Sequence, residues 1–218
     1  MASQKAADTD PAEALAENEV AGERSPSSEA IQAAAFELFA RRGYLAASVR
    51  EVMQACGLTQ GALYNHFPSK DQLLATLIRT TQDGLEAECA AAVATAAGDT
   101  RAELCAFVEA FTVRHCKRRT EALVANRDFE WLKPASLQEI VASRRRIRDM
   151  LVDILQRGVA AEVFRLPAIA GRSDARLVAM AILNQSIHVS SWFKPGGLWN
   201  EREVAALHAE MALRIAGG

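Results

Sequence analysis

One short stretch carries side chains suited to reading a polymer of bases and phosphates: Gln60, Ala62, Tyr64, Asn65 and His66. Their amide, methyl, phenol, amide and imidazole groups are of the kinds that contact base edges and phosphate oxygens in a DNA major groove. Leu63 and Phe67, four residues apart, fall on the other side of a helix and are expected to pack inward with Val52, Met53 and Leu58. The competing reading is a polar helix that merely faces solvent. A helix this short, pinned at both ends, has little reason to exist unless its exposed face is used.

The elements that must hold this stretch in place are written in caps and breakers. Ser48 stands three residues before Glu51, a capping box that opens a helix through Val49, Val52 and Met53. Gly57 supplies the left-handed residue that ends it. Thr59 is expected to cap a second helix from Gln60 to about Phe67, which Pro68 forbids from continuing. Ser69 and Gln72 then open a third helix at once. Two helices joined by a short turn containing Gly form a helix-turn-helix. Upstream, Ile31, Ala34, Ala35, Leu38 and Phe39 recur at helical spacing from near Ser27 to a stop at Gly43, and this helix supports the pair.

The stretch from about Ile31 to Leu74 resembles the DNA-binding domain of the TetR family of bacterial transcriptional regulators. The resemblance is carried by AAxxLFxxxGY (Ala34 to Tyr44), GLTxGALYNHF (Gly57 to Phe67) and SKDQLL (Ser69 to Leu74). It implies that Gln60, Ala62 and Asn65 face bases, and that Ser48, Thr59, Tyr64, His66 and Lys70 meet phosphates. Val49, Arg50 and Gly61 complete the expected DNA-binding set. The second helix has no Arg or Lys, so base specificity is left to Arg50 or to DNA shape. Lys70 opens a long helix expected to reach about Ala97, so a push on its far end would move the reading head.

Composition agrees with an all-helical protein. Half of the 218 residues are hydrophobic, with only 12 Gly and 6 Pro. The formal net charge of −2 gives no general attraction to nucleic acid, so DNA binding must come from a local surface, doubled in a dimer. Residues 1–26 are acidic, poor in large apolar side chains, and read as a disordered tail. Arg24 in that tail is either solvated or a minor-groove arm. The 4 cysteines show no metal-binding spacing and read as reduced thiols. The longest apolar run is too short to span a bilayer, so no membrane, no metal and no cofactor are expected, and the protein is placed in the cytoplasm of a bacterium, at the nucleoid. His115 beside Cys116 is the one pair that suggests a nucleophile. Neighbours on a helix point about 100° apart, and no enzyme is expected.

The fold expected is therefore all-α with about nine helices: a three-helix DNA-binding domain over residues 27–74 and a helical ligand-binding and dimerisation domain over 75–218. Capping boxes at Thr100/Glu103, Ser136/Glu139 and Asn200/Glu203 open further helices, with a short one from Leu123 to Leu132 stopped by Pro134. Residues 123 to about 215 resemble a TetR branch whose members respond to acyl-CoA thioesters and control fatty-acid or steroid catabolism. The helices Ser173–Phe193 and Asn200–Ala216 resemble the pair that forms the family's homodimer interface, which implies a palindromic double-stranded DNA operator. The candidate contacts for a small-molecule effector, a CoA thioester by this resemblance, are Phe107, Phe111, Arg127, Trp131, Arg144, Ile147, Asn184 and Gln185. Arg144 falls on the buried stripe of its helix and needs a partner, either a buried Glu such as Glu109 or Glu130 or a ligand anion. Arg145, Arg146 and Arg148 read as a solvated face or as the phosphate-binding mouth of a pocket. A repressor answering other hydrophobic ligands, and an architectural or cell-division DNA-binding protein without a ligand, remain alternatives.

Overall fold

A computed structural model describes residues 28–96, 98–168 and 170–217. The acidic segment 1–26, with Arg24, lies outside the described residues. Nine α-helices and two 3₁₀ turns, with no β-strand among the described residues, make up the chain: α1 (Ser28–Arg42), α2 (Val49–Ala55), a turn over Gln60–Asn65, α3 (Lys70–Thr95), α4 (Thr100–Lys117), α5 (Arg119–Arg127), a turn over Phe129–Trp131, α6 (Pro134–Ala160), α7 (Ala175–Ile187), α8 (Val189–Trp192) and α9 (Glu201–Ala216).

The local signals that begin and end the helices act largely as their chemistry dictates. Ser48 and Glu51 form the reciprocal capping box of α2, and Gly57 turns the chain at φ 72°. Asn200 and Glu203 do the same at α9. Four expectations are corrected. The second helix of the reading motif is a 3₁₀ turn that ends at Asn65, and the Thr59 side chain makes no cap hydrogen bond. Asp99, one residue before Thr100, caps α4, and Glu103 instead accepts from the Gly98 N–H at 3.1 Å. Pro134 begins α6 as its first residue, where its missing N–H costs nothing, and Ser136 is not its cap. The expected helix to Phe193 breaks at His188 into α7 and α8.

Two buried clusters hold these elements. The first joins Ile31, Phe39, Val52, Met53, Leu63 and Phe67 of the head to Leu73, Leu74, Leu77 and Ile78 of α3. Val124, Ala125, Leu132 and Ile140, from α5 to the start of α6, belong to the same cluster. The second packs Leu85 and Cys89 of α3 against Leu104, Phe107, Phe111, Ile147, Leu151, Ile154, Ile182 and Ala209. Each fully buried large side chain contributes roughly 1.5–3 kcal/mol. Helix α3 therefore runs through both clusters, about 40 Å along its 26 residues, and a boundary at Leu74 falls within it. A buried chain of hydrogen bonds, from the Thr112 hydroxyl to Ser186 (3.2 Å) and between Ser186 and His208 Nδ1 (3.1 Å), ties α4, α7 and α9. No helix among the described residues is long and apolar enough to cross a membrane.

Candidate functional site

Leu63 and Phe67 are buried beneath the Gln60–Asn65 turn, which leaves Gln60, Gly61, Tyr64 and Asn65 exposed and Ala62 and His66 half-buried. Tyr64 is 56% exposed, which leaves its phenol ring open to a partner. Ser48, Arg50 and Thr59 are also exposed on the flanking segments, and Val49 is half-buried. The Glu51 carboxylate accepts from the Ser48 backbone N–H at 2.9 Å and from its hydroxyl at 2.7 Å, and it pairs with Arg42 at the end of α1. Those hydrogen bonds from Ser48, and then the Arg42 charge, hold the carboxyl below its ordinary range. The scaffold of the turn is thus fastened from both sides.

Lys70, expected to meet a phosphate, also fastens the head from within. Its Nζ donates to the Tyr44 carbonyl at 2.6 Å and lies 4.2 Å from the Tyr44 ring centroid. The Tyr44 hydroxyl donates to Asp71, whose carboxylate also takes Lys133 at 2.8 Å from the start of α6. Lys133 and Tyr44 together hold the Asp71 carboxyl below its usual range, and burial with the Asp71 bond pushes the Tyr44 phenol up. A second tie comes from Arg127. Its guanidinium is held by buried Asp128 (2.9 and 2.8 Å) and donates to the carbonyls of Phe39 (2.5 Å) and Ala40 (3.2 Å) in the last turn of α1.

Inside the larger helical body lies a cavity of about 120 Å³ lined by Gln82, Leu85, Phe111, His115, Asn126, Arg144, Ile147, Leu183 and Ile187. Arg144 donates to the Ala125 carbonyl at 2.8 Å, approaches the Asn126 side-chain oxygen at 3.5 Å, and stacks 4.0 Å from the Phe129 ring. Among the described residues its partners are all neutral, and burial lowers its pKa. Glu109 and Glu130, the carboxylates expected to pair with it, are both exposed. The Asn126 amide nitrogen is buried without a hydrogen-bond partner, as is Arg114 Nε. Arg114 pairs with Glu88 and lies against the bare backbone of Gly84, where a Cβ would collide with the guanidinium. His115 stacks on Phe111 at 4.4 Å and meets the Phe111 carbonyl through Nδ1 at 2.8 Å, so Nδ1 carries the proton and Nε2 is an acceptor. Burial lowers its pKa to about 4, and it is neutral at pH 7.

Of the effector contacts expected from the sequence, Phe111, Arg144 and Ile147 line this cavity. Phe107 lies in the core, Trp131 and Asn184 face solvent, Gln185 is half-buried with its Nε2 lacking a hydrogen-bond partner and does not line the cavity, and Arg127 is the tie to α1. Gln82, Leu85, His115, Asn126, Leu183 and Ile187 were missed because they come from four different helices that only the tertiary fold brings together. Of the arginine cluster, Arg146 pairs with Glu86 at 2.7 Å and Arg148 with Asp149 at 2.6 Å, while Arg145 is exposed. His115 and Cys116 face different surroundings: the thiol packs with Val189, Phe193 and Val204, and burial pushes its pKa up to about 11. Among the described residues no His, Cys, Asp and Glu group has the arrangement to hold a metal ion.

Comparison with known proteins gives matches at both ends of the chain. Residues 31–77 match the family model described as bacterial regulatory proteins, tetR family, and residues 97–216 match the tetracyclin repressor-like C-terminal domain. The HTH-type transcriptional repressor KstR2 of Mycolicibacterium smegmatis is 30% identical over 187 residues, 85% of this chain and 87% of that protein. A crystal structure of a bacterial regulatory protein in the tetR family from Rhodococcus RHA1 superposes with a TM-score of 0.79 at 29% identity, covering 86% of this chain and 95% of that one. The fold is also that of AibR in complex with isovaleryl coenzyme A and operator DNA, at a TM-score of 0.73 and 23% identity, covering 84% of this chain and 96% of that one.

Proposed function

This chain belongs to the TetR family and is a DNA-binding transcriptional repressor of that type; from that premise we propose that it binds a palindromic operator as a homodimer and is released by a small ligand held in the internal cavity. The observation that carries the reading is the exposed Gln60–Asn65 turn, mounted over buried Leu63 and Phe67 and offering amides, a phenol and an imidazole outward. Gln60, Ala62 and Asn65 face bases. Ser48, Thr59, Tyr64 and His66 meet phosphates, and Val49, Arg50 and Gly61 line the approach. Lys70 acts chiefly by holding Tyr44, with its remaining N–H groups turned to the backbone of the DNA.

Dimerisation is supported by apolar side chains left exposed on α7 and α9: Leu177, Met180, Leu207 and Met211. A twofold axis through these helices sets two reading turns about one DNA turn apart, roughly 34–36 Å. The ligand contacts are Phe111, Arg144 and Ile147, joined by Gln82, Leu85, His115 and Asn126. The effector is an acyl-CoA thioester: the cavity takes the acyl group, and the nucleotide lies outside toward Arg145. The protein acts in the cytoplasm at the nucleoid. No chemistry is assigned to His115 or Cys116, which cannot share a proton from these positions.

The test is a gel shift of the purified protein on the DNA flanking its own gene, titrated with acyl-CoA thioesters and the matching free acids. A sequence-specific shift relieved by one thioester is expected. A specific shift that no acyl ligand disturbs would favour a ligand-independent DNA-binding protein, and no specific shift at all would refute the operator.

A further inference from the structure

Arg144 presents an electrostatic problem that the protein leaves unsolved. Its guanidinium is largely buried, carries a full charge, and among the described residues meets only a carbonyl, an amide oxygen and an aromatic face. A buried cation without an anion is costly, and a bound anion would recover that cost. Two further groups strengthen the demand. The Asn126 amide N–H group lining the cavity has no acceptor, and neither does Arg114 Nε nearby. His115 is neutral and brings no opposing charge, and the cavity lining contains no carboxylate. The remaining walls are Leu85, Phe111, Ile147, Leu183 and Ile187, which need carbon against them.

We propose that the cavity binds the carboxylate end of a small organic acid, with Arg144 and the Asn126 amide as its partners and the carbon chain on the Leu85–Ile147 side. An inorganic anion would satisfy the donors and leave the apolar wall empty. The volume, about 120 Å³, is close to that of cavities of about 150 Å³ that accept a benzene ring, so the guest is a short chain and not a fused ring system. The carboxylate belongs either to a free acid or to the far end of an acyl thioester whose other end leaves the cavity. The inference rests on reading this cavity as the effector site, but direct binding to the protein decides it without DNA.

Calorimetric titration of the full chain compares isovalerate with isovaleramide, and glutaryl-CoA with isovaleryl-CoA. All four ligands carry five acyl carbons, and the members of each pair differ in whether a carboxylate is present at the buried end. Binding of isovalerate at least tenfold tighter than its amide identifies a free acid. A tenfold preference for glutaryl-CoA over isovaleryl-CoA identifies the far end of a thioester. Equal binding within both pairs, or binding of no member, overturns the proposal. Arg144→Met is expected to weaken the preferred ligand at least tenfold. Asn126→Asp places a carboxylate beside Arg144, and should abolish binding while leaving the thermal midpoint unchanged or higher. Full binding by Asn126→Asp would refute the site even if Arg144→Met failed to fold. A failed gel shift with intact carboxylate binding would refute the repressor mechanism and leave this site standing.

Discussion

Arg127 and Phe39 are joined across the body and the head: the guanidinium Nη2 of one donates to the carbonyl of the other at 2.5 Å. The contact caps the end of α1 from outside, where the unpaired carbonyls of a helix favour a cation. Asp128, buried and paired with Arg127, fixes the direction of the donor. One turn of α5 thereby holds a cavity-lining residue, Asn126, next to the residue that grips the reading head.

Arg127→Ala should loosen the head. The Asp128 carboxylate would be left buried with nothing in place of the guanidinium, although half-exposed Arg127 is partly screened by water. A loss of about 1–2 kcal/mol in stability is expected, seen as a lower chemical denaturation midpoint, together with weaker operator binding. Unchanged values of both would show that the contact does not order the head.

Tyr64→Ala separates binding from folding. The ring is more than half exposed, so stability should change by less than about 0.5 kcal/mol. Operator affinity measured by fluorescence anisotropy should fall about tenfold, a change of about 1.4 kcal/mol. A variant that binds normally would remove this residue from the interface.

Gly84→Ala should destabilise despite the helix preference of Ala, worth about 1 kcal/mol. The added methyl meets the Arg114 guanidinium, which has Glu88 and the Thr81 carbonyl as partners and little room to retreat. Arg114→Met should relieve part of that cost, a non-additivity that a double-mutant cycle of thermal midpoints would show.

His115 makes stability depend on pH below neutrality. Its folded pKa, about 4, lies below the ordinary 6.5, so between those values the unfolded chain takes up a proton that the folded chain refuses. Stability falls as pH drops through that window, by at most about 3 kcal/mol, and is unaffected above pH 7. Acidification monitored by urea unfolding should show a shallower decline for His115→Gln than for the natural chain.

Leu207→Glu should convert the proposed dimer to a monomer. The side chain is exposed on α9, and a carboxylate there would have to be buried against its own copy. Light scattering after gel filtration reads the mass directly, and a dimer that survives would place the interface elsewhere.

Local rules set the ends of most helices legibly. The Ser48 and Asn200 capping boxes and Gly57 each involve residues within a few positions, so their chemistry is complete within the sequence. The 3₁₀ form of Gln60–Asn65 was not legible, because Pro68 and the burial of Leu63 and Phe67 together limit it to a tighter turn than the pattern alone implies. Nor was the role of Pro134, which reads equally as the end of one helix and the first residue of the next. The cavity divides in the same way. Phe111, Arg144 and Ile147 follow from helical periodicity, but Gln82 and Asn126 acquire their meaning only when α3 and α5 meet, and the resemblance gave no hint that Arg127 turns toward α1.

The shared core of the head and the body has an evolutionary consequence. Val124, Ala125, Leu132 and Ile140 complete the cluster that begins with Ile31 and Phe39, so the reading head does not end where its motif ends. A recombination that joined this head to a foreign sensor at the middle of α3 would leave part of its interior without a lid. Exchange of modules among such regulators must carry the α5–α6 junction with the head, or follow compensating changes there. The interior of the head and the sequence of that junction are therefore expected to change together.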